Sequence, residues 1–199
     1  MSDETKQTIV TFAINELTSI IDNWCDLDVS GGEMRECRGT NIEESVLKII
    51  HKIAKTLYID LVAKKGKFDK KKLVLPDNNQ ISKLHQVDIH IYLNKLFVAV
   101  IECKSYLDSC YYVRACDDFE LFKKFGYHIK SVIFSLENSI DDNTKKFTDY
   151  VKDGICHHVF YMLDGKRSSS KPIYQKEYRK YPTKEKMESF ISFLYNLII

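Results

Sequence analysis

The chain has 199 residues, of which 44% are hydrophobic and three are proline, and its formal net charge is +2 at pH 7. This length and composition favour one compact domain and exclude a disordered chain. Because the net charge is nearly neutral, binding to nucleic acid would depend on local clusters of lysine and arginine.

The start of the chain lacks the basic and then apolar pattern of a signal peptide, and no apolar run is long enough to span a membrane. We therefore expect a soluble, intracellular protein with no membrane partner. The six cysteines include no C-x-x-C pair, so neither a zinc site nor a thioredoxin-like motif is indicated.

Residues 4–24 show apolar side chains at the spacing of an amphipathic helix. Residues 26–39 contain a Ser-Gly-Gly sequence and are predicted to form a loop, which carries Arg35 and Arg38.

A second amphipathic helix is predicted to begin at Thr40, where Thr40 and Glu43 have the spacing of a capping box. Glu44 shares a helical face with lysines and is predicted to be solvated. Glu43 lies one step around the helix, nearer to its apolar side.

Residues 61–79 contain two runs of lysine, the first of which ends at Lys67. Such runs usually form a solvated loop, although a lysine-rich loop beside a nucleic-acid site could also bind phosphates. Residues 73–75, before a proline, are predicted to form a short edge strand.

Residues 86–104 form the most informative stretch. Apolar and polar residues alternate strictly over residues 86–93, which predicts a half-buried strand. After Asn94-Lys95 comes an unbroken apolar run, typical of a strand buried on both faces, and this strand is predicted to end in Glu102-Cys103-Lys104. The period of two places Glu102 and Lys104 on one face.

The register of this hairpin decides whether Asp88 can join Glu102. With Asn94-Lys95 alone as the loop, Asp88 would pair with Ile101 and lie on the face opposite Glu102. A three-residue loop or one β-bulge shifts the register by one residue and brings Asp88 diagonal to Glu102. Two carboxylates and a lysine would then converge, which suits a divalent cation held by oxygen ligands.

The remaining chain alternates between helices and strands. We predict a helix over residues 106–125 that ends at Gly126 and carries Arg114 on its polar face. A strand over residues 129–136 follows. The last two elements of this part are a helix at 141–152 and a strand at 157–163. Strands joined by helices in this order predict an α/β fold with a mixed sheet and helices on both faces.

The C-terminal part divides in two. Residues 164–182 are basic, with interleaved tyrosines, which suits either DNA contacts or an ordinary solvated loop. Residues 183–199 are predicted to form an amphipathic helix, with Thr183 as N-cap, that docks on the core or forms a dimer interface.

Asp88 followed by Glu102-Cys103-Lys104 on the next strand resembles the PD-(D/E)xK nucleases, the superfamily of most type II restriction endonucleases. Val87 stands where the superfamily usually has a proline. The resemblance covers roughly the middle half of the chain and implies a restriction-endonuclease-like fold, with a catalytic core at about residues 40–163 of a single domain at 1–199.

The resemblance also implies the chemistry. Asp88 and Glu102 would bind Mg²⁺, with the backbone carbonyl of Cys103 as a further ligand, and Lys104 would position and help deprotonate the attacking water. Many of these enzymes direct a glutamate of the preceding helix at the metal site, and Glu43 is the candidate for that role. Glu43 could also belong to the capping box with Thr40, and the two roles do not exclude each other.

A magnesium-dependent endonuclease of a bacterial restriction-modification system, acting on double-stranded DNA in the cytoplasm as a homodimer, is therefore expected. No P-loop motif occurs, so no nucleotide cofactor is expected. The candidate DNA-binding residues are Arg35, Arg38, Lys67, Arg114, Arg167 and Arg179. The alternatives are a junction resolvase, repair or transposon-end nuclease of the same superfamily, or a non-catalytic nucleic-acid-binding module.

Overall fold

The computed structural model describes residues 1–24 and 31–198, without the side chains of residues 31–35, 78 and 79. Within these residues the helices are α1 Asp3–Trp24, α2 Gly31–Leu57, α3 Ser109–Lys124, α4 Asp142–Val151 and α5 Lys184–Asn196. The strands are β1 Leu61–Lys65, β2 Lys71–Leu75, β3 Asn78–His85, β4 Ile89–Leu93, β5 Leu96–Asp108, β6 Lys130–Ser139 and β7 His158–Tyr161. Short 3₁₀ turns lie at Gly66–Phe68 and Lys176–Tyr178.

The main sheet has five strands in the order β1-β4-β5-β6-β7, and β2 pairs with β3 in a separate two-stranded sheet. The first three strands of the main sheet pair antiparallel, whereas β5, β6 and β7 are parallel to one another. The predicted mixed α/β sheet is therefore confirmed, and it is consistent with a restriction-endonuclease-like fold.

Helices cover both faces of this sheet, as predicted. One apolar core joins α1, α2 and α5 to one face, and a second core joins α3 to the other. The apolar stripe of α5 docks on the first core, where the rings of Phe190 and Phe134 lie 4.8 Å apart. The stripe is therefore buried within the chain, and the predicted docking of this helix is confirmed.

The start of α2 differs from the prediction. Residues 31–39 belong to the helix, so the predicted loop is wrong for this part, and residues 25–30 lie outside the described residues. A glycine inside a helix costs only about 1 kcal/mol, and Gly39 is accommodated there. Thr40 is consequently in the helix interior and cannot act as an N-cap, which removes the capping-box role of Glu43.

The lysine-rich segment is mostly sheet rather than loop. Leu61 and Ala63 are buried in β1 while Val62 and Lys64 face outward, the pattern of a strand with one covered face. Lysine runs usually indicate a loop, but Lys64 and Lys65 are the last two residues of this strand. The predicted short strand at residues 73–75 is confirmed as part of β2.

The burial of β4 and the end of β5 also differ from the prediction. The strand β4 is buried on both faces rather than half-buried, because Phe97 and Phe122 cover the side that carries His90, which is 0% exposed. β5 continues beyond Lys104 because its last residues pair with β6, and Asp108 then caps α3 by accepting a 2.8 Å hydrogen bond from the Tyr111 N–H.

The other predicted elements are confirmed to within a few residues, and Gly126 follows α3 with a positive φ of 81°. In the described part of the chain, none of the helices combines the length and apolar character that crossing a bilayer requires.

Candidate active site

A β-bulge in the β4–β5 hairpin determines where the acidic residues lie. Asn94 and Lys95 form the two-residue turn with φ values of 49° and 67°, and Leu93 pairs with Leu96. The register then shifts between Ile91 and Tyr92, so that Ile89 pairs with Ile101. The bulged alternative of the two registers is therefore the observed one, and the residues preceding Ile89 lie beside those following Ile101.

Asp88, Glu102 and Lys104 meet at this end of the hairpin. The Lys104 ammonium donates a short hydrogen bond to Glu102 Oε1, and its Nζ lies 3.6 Å from Asp88 Oδ2. The same Asp88 oxygen accepts a 2.8 Å hydrogen bond from the Cys103 N–H. The three charged side chains are 13 to 25% exposed, so solvent can reach a group of charges that is otherwise largely buried.

The charges in this group shift one another's proton equilibria. Burial, and next the negative charge of Glu102, raises the pKa of Asp88 above its usual value, and Lys104 opposes this shift. Burial alone would lower the pKa of Lys104, but the charges of Glu102 and Asp88 outweigh it, so the pKa is raised. Lys104 is therefore a firmly held ammonium in the absence of another cation.

Glu43 lies close enough to this group to sense its charges. Burial raises the pKa of Glu43 to about 7, and the negative charge of Asp88 adds to the shift. Lys65, Lys67 and Lys104 act in the opposite direction. The helix α2 therefore brings a third carboxyl group into the electrostatic environment of Asp88.

The neighbouring Glu44 differs, as the helical faces predicted. It is exposed and its carboxylate lies 2.9 Å from the Lys65 ammonium, whose hydrogen bond and charge lower the pKa of Glu44.

The donor groups fit a hard divalent cation. Carboxylate oxygens and backbone carbonyls are the ligands that Mg²⁺ prefers, and Asp88, Glu102 and Cys103 would supply them. The Cys103 thiol itself is buried in the core, and burial raises its pKa well above the usual value. Among the residues described, no three His, Cys, Asp or Glu side chains are already grouped to hold a metal, and the two strand carboxylates instead share Lys104.

Two of the candidate DNA-binding residues lie near this group or the adjoining end of the sheet. Lys67 is exposed in the turn after β1, and its charge acts on Glu43. The guanidinium of Arg167 lies 4.0 Å from the ring centre of Tyr106 and its Nε is 3.7 Å from Glu137.

Arg38 lies near Arg167, since the charges of Arg167 and Glu137 both act on it. Its guanidinium lies over the ring of Tyr174 at 4.1 Å, and burial lowers its pKa. Arg179 donates a 2.6 Å hydrogen bond to Asp22 of α1. Arg114 is exposed on α3, whereas the backbone of Arg35 belongs to α2 and its side chain lies outside the described part.

Sequence reasoning missed the surroundings of Asp88. Val87 donates its N–H to His90 Nε2 at 3.3 Å, and His90 Nδ1 lies 3.1 Å from Asp69. Asp69 is an isolated acidic residue between two lysine runs. This isolation is the only local signal in the sequence that could have drawn attention to it. Its contact with His90 crosses 21 residues and follows no local period.

Comparison with known proteins points to a restriction-endonuclease-like relationship. No protein family model matches the chain. Over 121 residues it is 26% identical to the type II restriction enzyme DdeI of Desulfomicrobium norvegicum, a match that covers 54% of this chain and 50% of that enzyme. The chain thus matches about half the length of this relative. The similarity is distant and suggests a nuclease.

Proposed function

We propose that this chain is a Mg²⁺-dependent, sequence-specific endonuclease that hydrolyses double-stranded DNA as a type II restriction enzyme. The convergence of Asp88, Glu102 and Lys104 across one hairpin carries this proposal, and the similarity to a type II restriction enzyme supports it. By resemblance to the PD-(D/E)xK nucleases, the products would carry 5′-phosphate ends.

Asp88 and Glu102 would bind the Mg²⁺ ion together with the backbone carbonyl of Cys103. When bound, Mg²⁺ supplies a Lewis acid that polarises the scissile phosphate and offsets the charge that develops in the displacement. The Cys103 N–H fixes one oxygen of Asp88, so this carboxylate is oriented before any ligand arrives. Burial, and next the negative charge of Glu102, raises its pKa, and a bound cation would favour its ionised form.

Lys104 would position the attacking water. As an ammonium it orients a water molecule by donating from Nζ, whereas acceptance of the water's proton requires the neutral amine. The ion pairs with Glu102 and Asp88 hold the amine in its protonated form in the present structure. Loss of one of these pairs during the reaction would lower the pKa of Lys104 and allow it to help deprotonate the water.

Glu43 would act as a third carboxyl group from α2. Its pKa of about 7 means that it carries a proton for part of the time near neutral pH, so it could ionise when positive charge is added nearby. We assign it to the proposed catalytic group on this electrostatic link to Asp88.

DNA binding would extend from this group over basic side chains of several elements. Lys67 and Arg167 are the best-placed candidates, and the proposed set also includes Arg35, Arg38, Arg114 and Arg179. Cleavage of both strands by a chain with one such group would be achieved most simply by a homodimer on a palindromic site. No nucleotide would be consumed, and the setting would be the bacterial cytoplasm.

Digestion of unmethylated phage DNA with Mg²⁺, followed by sequencing of the fragment ends, tests this function. We expect discrete fragments whose ends share one short sequence, and no cleavage with EDTA. Cleavage restricted to branched DNA would instead assign the chain to another nuclease of the same superfamily. DNA binding without any metal-dependent cleavage would contradict the enzymatic function and favour a non-catalytic binding module.

A further inference from the structure

The backbone at Asp88 is held by the turn that follows β1. The Gly66 N–H donates a 2.8 Å hydrogen bond to the Asp88 carbonyl. A Cβ atom on Gly66 would lie only 1.7 Å from the Val87 carbonyl oxygen, so only glycine permits this approach. The peptide on the C-terminal side of Asp88 is thus fixed from the side of β1.

His90 holds the peptide between Gln86 and Val87, on the other side of Asp88. Its ring is 0% exposed and packs between Phe97 and Phe122 at centroid distances of 5.1 and 5.8 Å. Its Nε2 lies 3.3 Å from the backbone nitrogen of Val87, and Val87 as a residue is only 2% exposed. Water therefore cannot readily replace the histidine as acceptor for this N–H.

Asp69 determines which nitrogen of His90 carries the proton. The Nδ1 atom lies 3.1 Å from Asp69 Oδ2, and an ionised carboxylate only accepts hydrogen bonds. Nδ1 must therefore donate, which leaves Nε2 as an acceptor for the Val87 N–H. Asp69 is itself anchored by the Lys71 ammonium at 3.1 Å and by the hydroxyl of Tyr92.

We propose that His90 is a positioning residue, which Asp69 holds as the Nδ1–H tautomer so that its Nε2 clamps the Val87 N–H and fixes Asp88 toward Glu102 and Lys104. This role rests on the proposed function only in its consequence for metal binding. The clamp itself is a property of the hydrogen bonds around Val87 and can be tested without any metal or DNA.

Two substitutions of His90 separate the clamp from general packing. In His90→Gln the side-chain amide reaches about as far as Nε2 and keeps an acceptor for Val87. In His90→Asn it reaches only about as far as Nδ1, so the contact with Asp69 is kept and that with Val87 is lost. Both variants remove the aromatic ring, which makes them a matched pair.

The first readout is hydrogen exchange of the Val87 amide, measured by NMR without metal. We expect exchange at least about tenfold faster in His90→Asn than in His90→Gln, because only the former leaves the N–H without an acceptor. Tyr92→Phe, which removes a partner of Asp69 but not the clamp, should leave Val87 protected. Equal protection of Val87 in both histidine variants overturns the proposal.

The second readout is the affinity for Mn²⁺ alone, measured by calorimetry or electron paramagnetic resonance. We expect about tenfold weaker binding in His90→Asn and a value near wild type in His90→Gln, the scale usual for losing a group that orients a ligand. If Val87 is released in His90→Asn but wild type binds no Mn²⁺, the clamp stands and the proposed metal site fails. Unchanged Mn²⁺ affinity in His90→Asn, with Val87 released, overturns the positioning role.

A measurement on the wild type covers the case in which a variant does not fold. Nitrogen NMR of ¹⁵N-histidine-labelled protein distinguishes protonated from unprotonated ring nitrogens. We expect the His90 proton on Nδ1 and none on Nε2. A proton on Nε2 would leave it unable to accept from Val87 and would overturn the proposal.

Discussion

The N–H of Cys103 donates a 2.8 Å hydrogen bond to the carboxylate of Asp88 across the β4–β5 hairpin. This contact requires the β-bulge, since without the shift in register Asp88 would face the other side of the sheet. The bulge therefore brings Asp88 to Glu102 and Lys104, and one backbone irregularity creates the arrangement on which the proposed chemistry depends.

Replacement of Mg²⁺ by Ca²⁺ should permit specific DNA binding without cleavage. Ca²⁺ satisfies the carboxylates of Asp88 and Glu102 but has a looser coordination geometry than Mg²⁺. Gel-shift binding and cleavage of the same duplex, each measured with both ions, check this prediction. Turnover with Ca²⁺ at the Mg²⁺ rate would show that the proposed metal site is wrong.

Glu43→Gln should stabilise the metal-free protein at alkaline pH. The pKa of Glu43 is raised from 4.5 to about 7, so the folded state keeps a proton that the unfolded state has lost between these values. Stability from this group is thus present at low pH and is lost as the pH rises through about 7. Removing the charge should raise the free energy of unfolding by about 1 kcal/mol at pH ~8, after allowance for solvent screening, and should change it little at pH ~5.

Urea denaturation in EDTA at both pH values measures this effect. Glu44→Gln is the matched control, because the ion pair with Lys65 lowers the pKa of Glu44 and its removal should not stabilise the protein. A Glu43→Gln variant that is less stable than wild type at alkaline pH would contradict the raised pKa of Glu43.

The resemblance and local pattern identified the hairpin and its charged residues because the necessary signals are local. Alternation, the apolar run before Glu102, and a glycine after α3 each depend on near neighbours in the chain. The position of Asp88 remained open, since a two-residue turn with a bulge and one without it differ only in a backbone irregularity that side-chain pattern does not encode.

Other features depended on tertiary contacts. The helix α2 continues through Gly39, because its packing outweighs the modest cost of one glycine. His90 is buried by Phe122 of α3, which lies 32 positions further along the chain, so the polar side of β4 could not be recognised as covered. The strand β1 has only two buried residues and ends in two lysines, so its sequence resembles that of a solvated loop.

Arg167→Ala should relax sequence preference at one position of the DNA site. Arginine can pair bidentately with guanine, and the Arg167 guanidinium packs over the Tyr106 ring at 4.0 Å. We expect a loss of about 1–3 kcal/mol of binding free energy on the cognate duplex and a smaller loss on one altered duplex.

Lys166→Ala is the comparison. Removal of an exposed lysine that meets phosphate should weaken binding to all duplexes alike and flatten the salt dependence. Binding measured at two salt concentrations separates the two, and a uniform loss in Arg167→Ala would restrict it to phosphate contact.

Arg179→Ala should also relax sequence preference, but its ion pair with Asp22 requires a stability control. Asp22→Asn breaks the same pair while it keeps the arginine. If Arg179 reads a base, only Arg179→Ala changes the preference among duplexes. Equal effects of both substitutions, in binding and in melting temperature, would restrict Arg179 to a structural role.

The rate of DNA cleavage by Lys104→Ala tests the proposed site most directly. The comparison is Lys130→Ala, an exposed lysine on β6 at the far end of its pairing with β5. With Mg²⁺ we expect Lys104→Ala to cleave about two orders of magnitude more slowly than wild type, the scale of losing a positioned proton-transfer group, and Lys130→Ala to cleave normally. DNA binding in Ca²⁺ should be unchanged in both variants. Cleavage by Lys104→Ala at close to the wild-type rate would contradict the proposed mechanism.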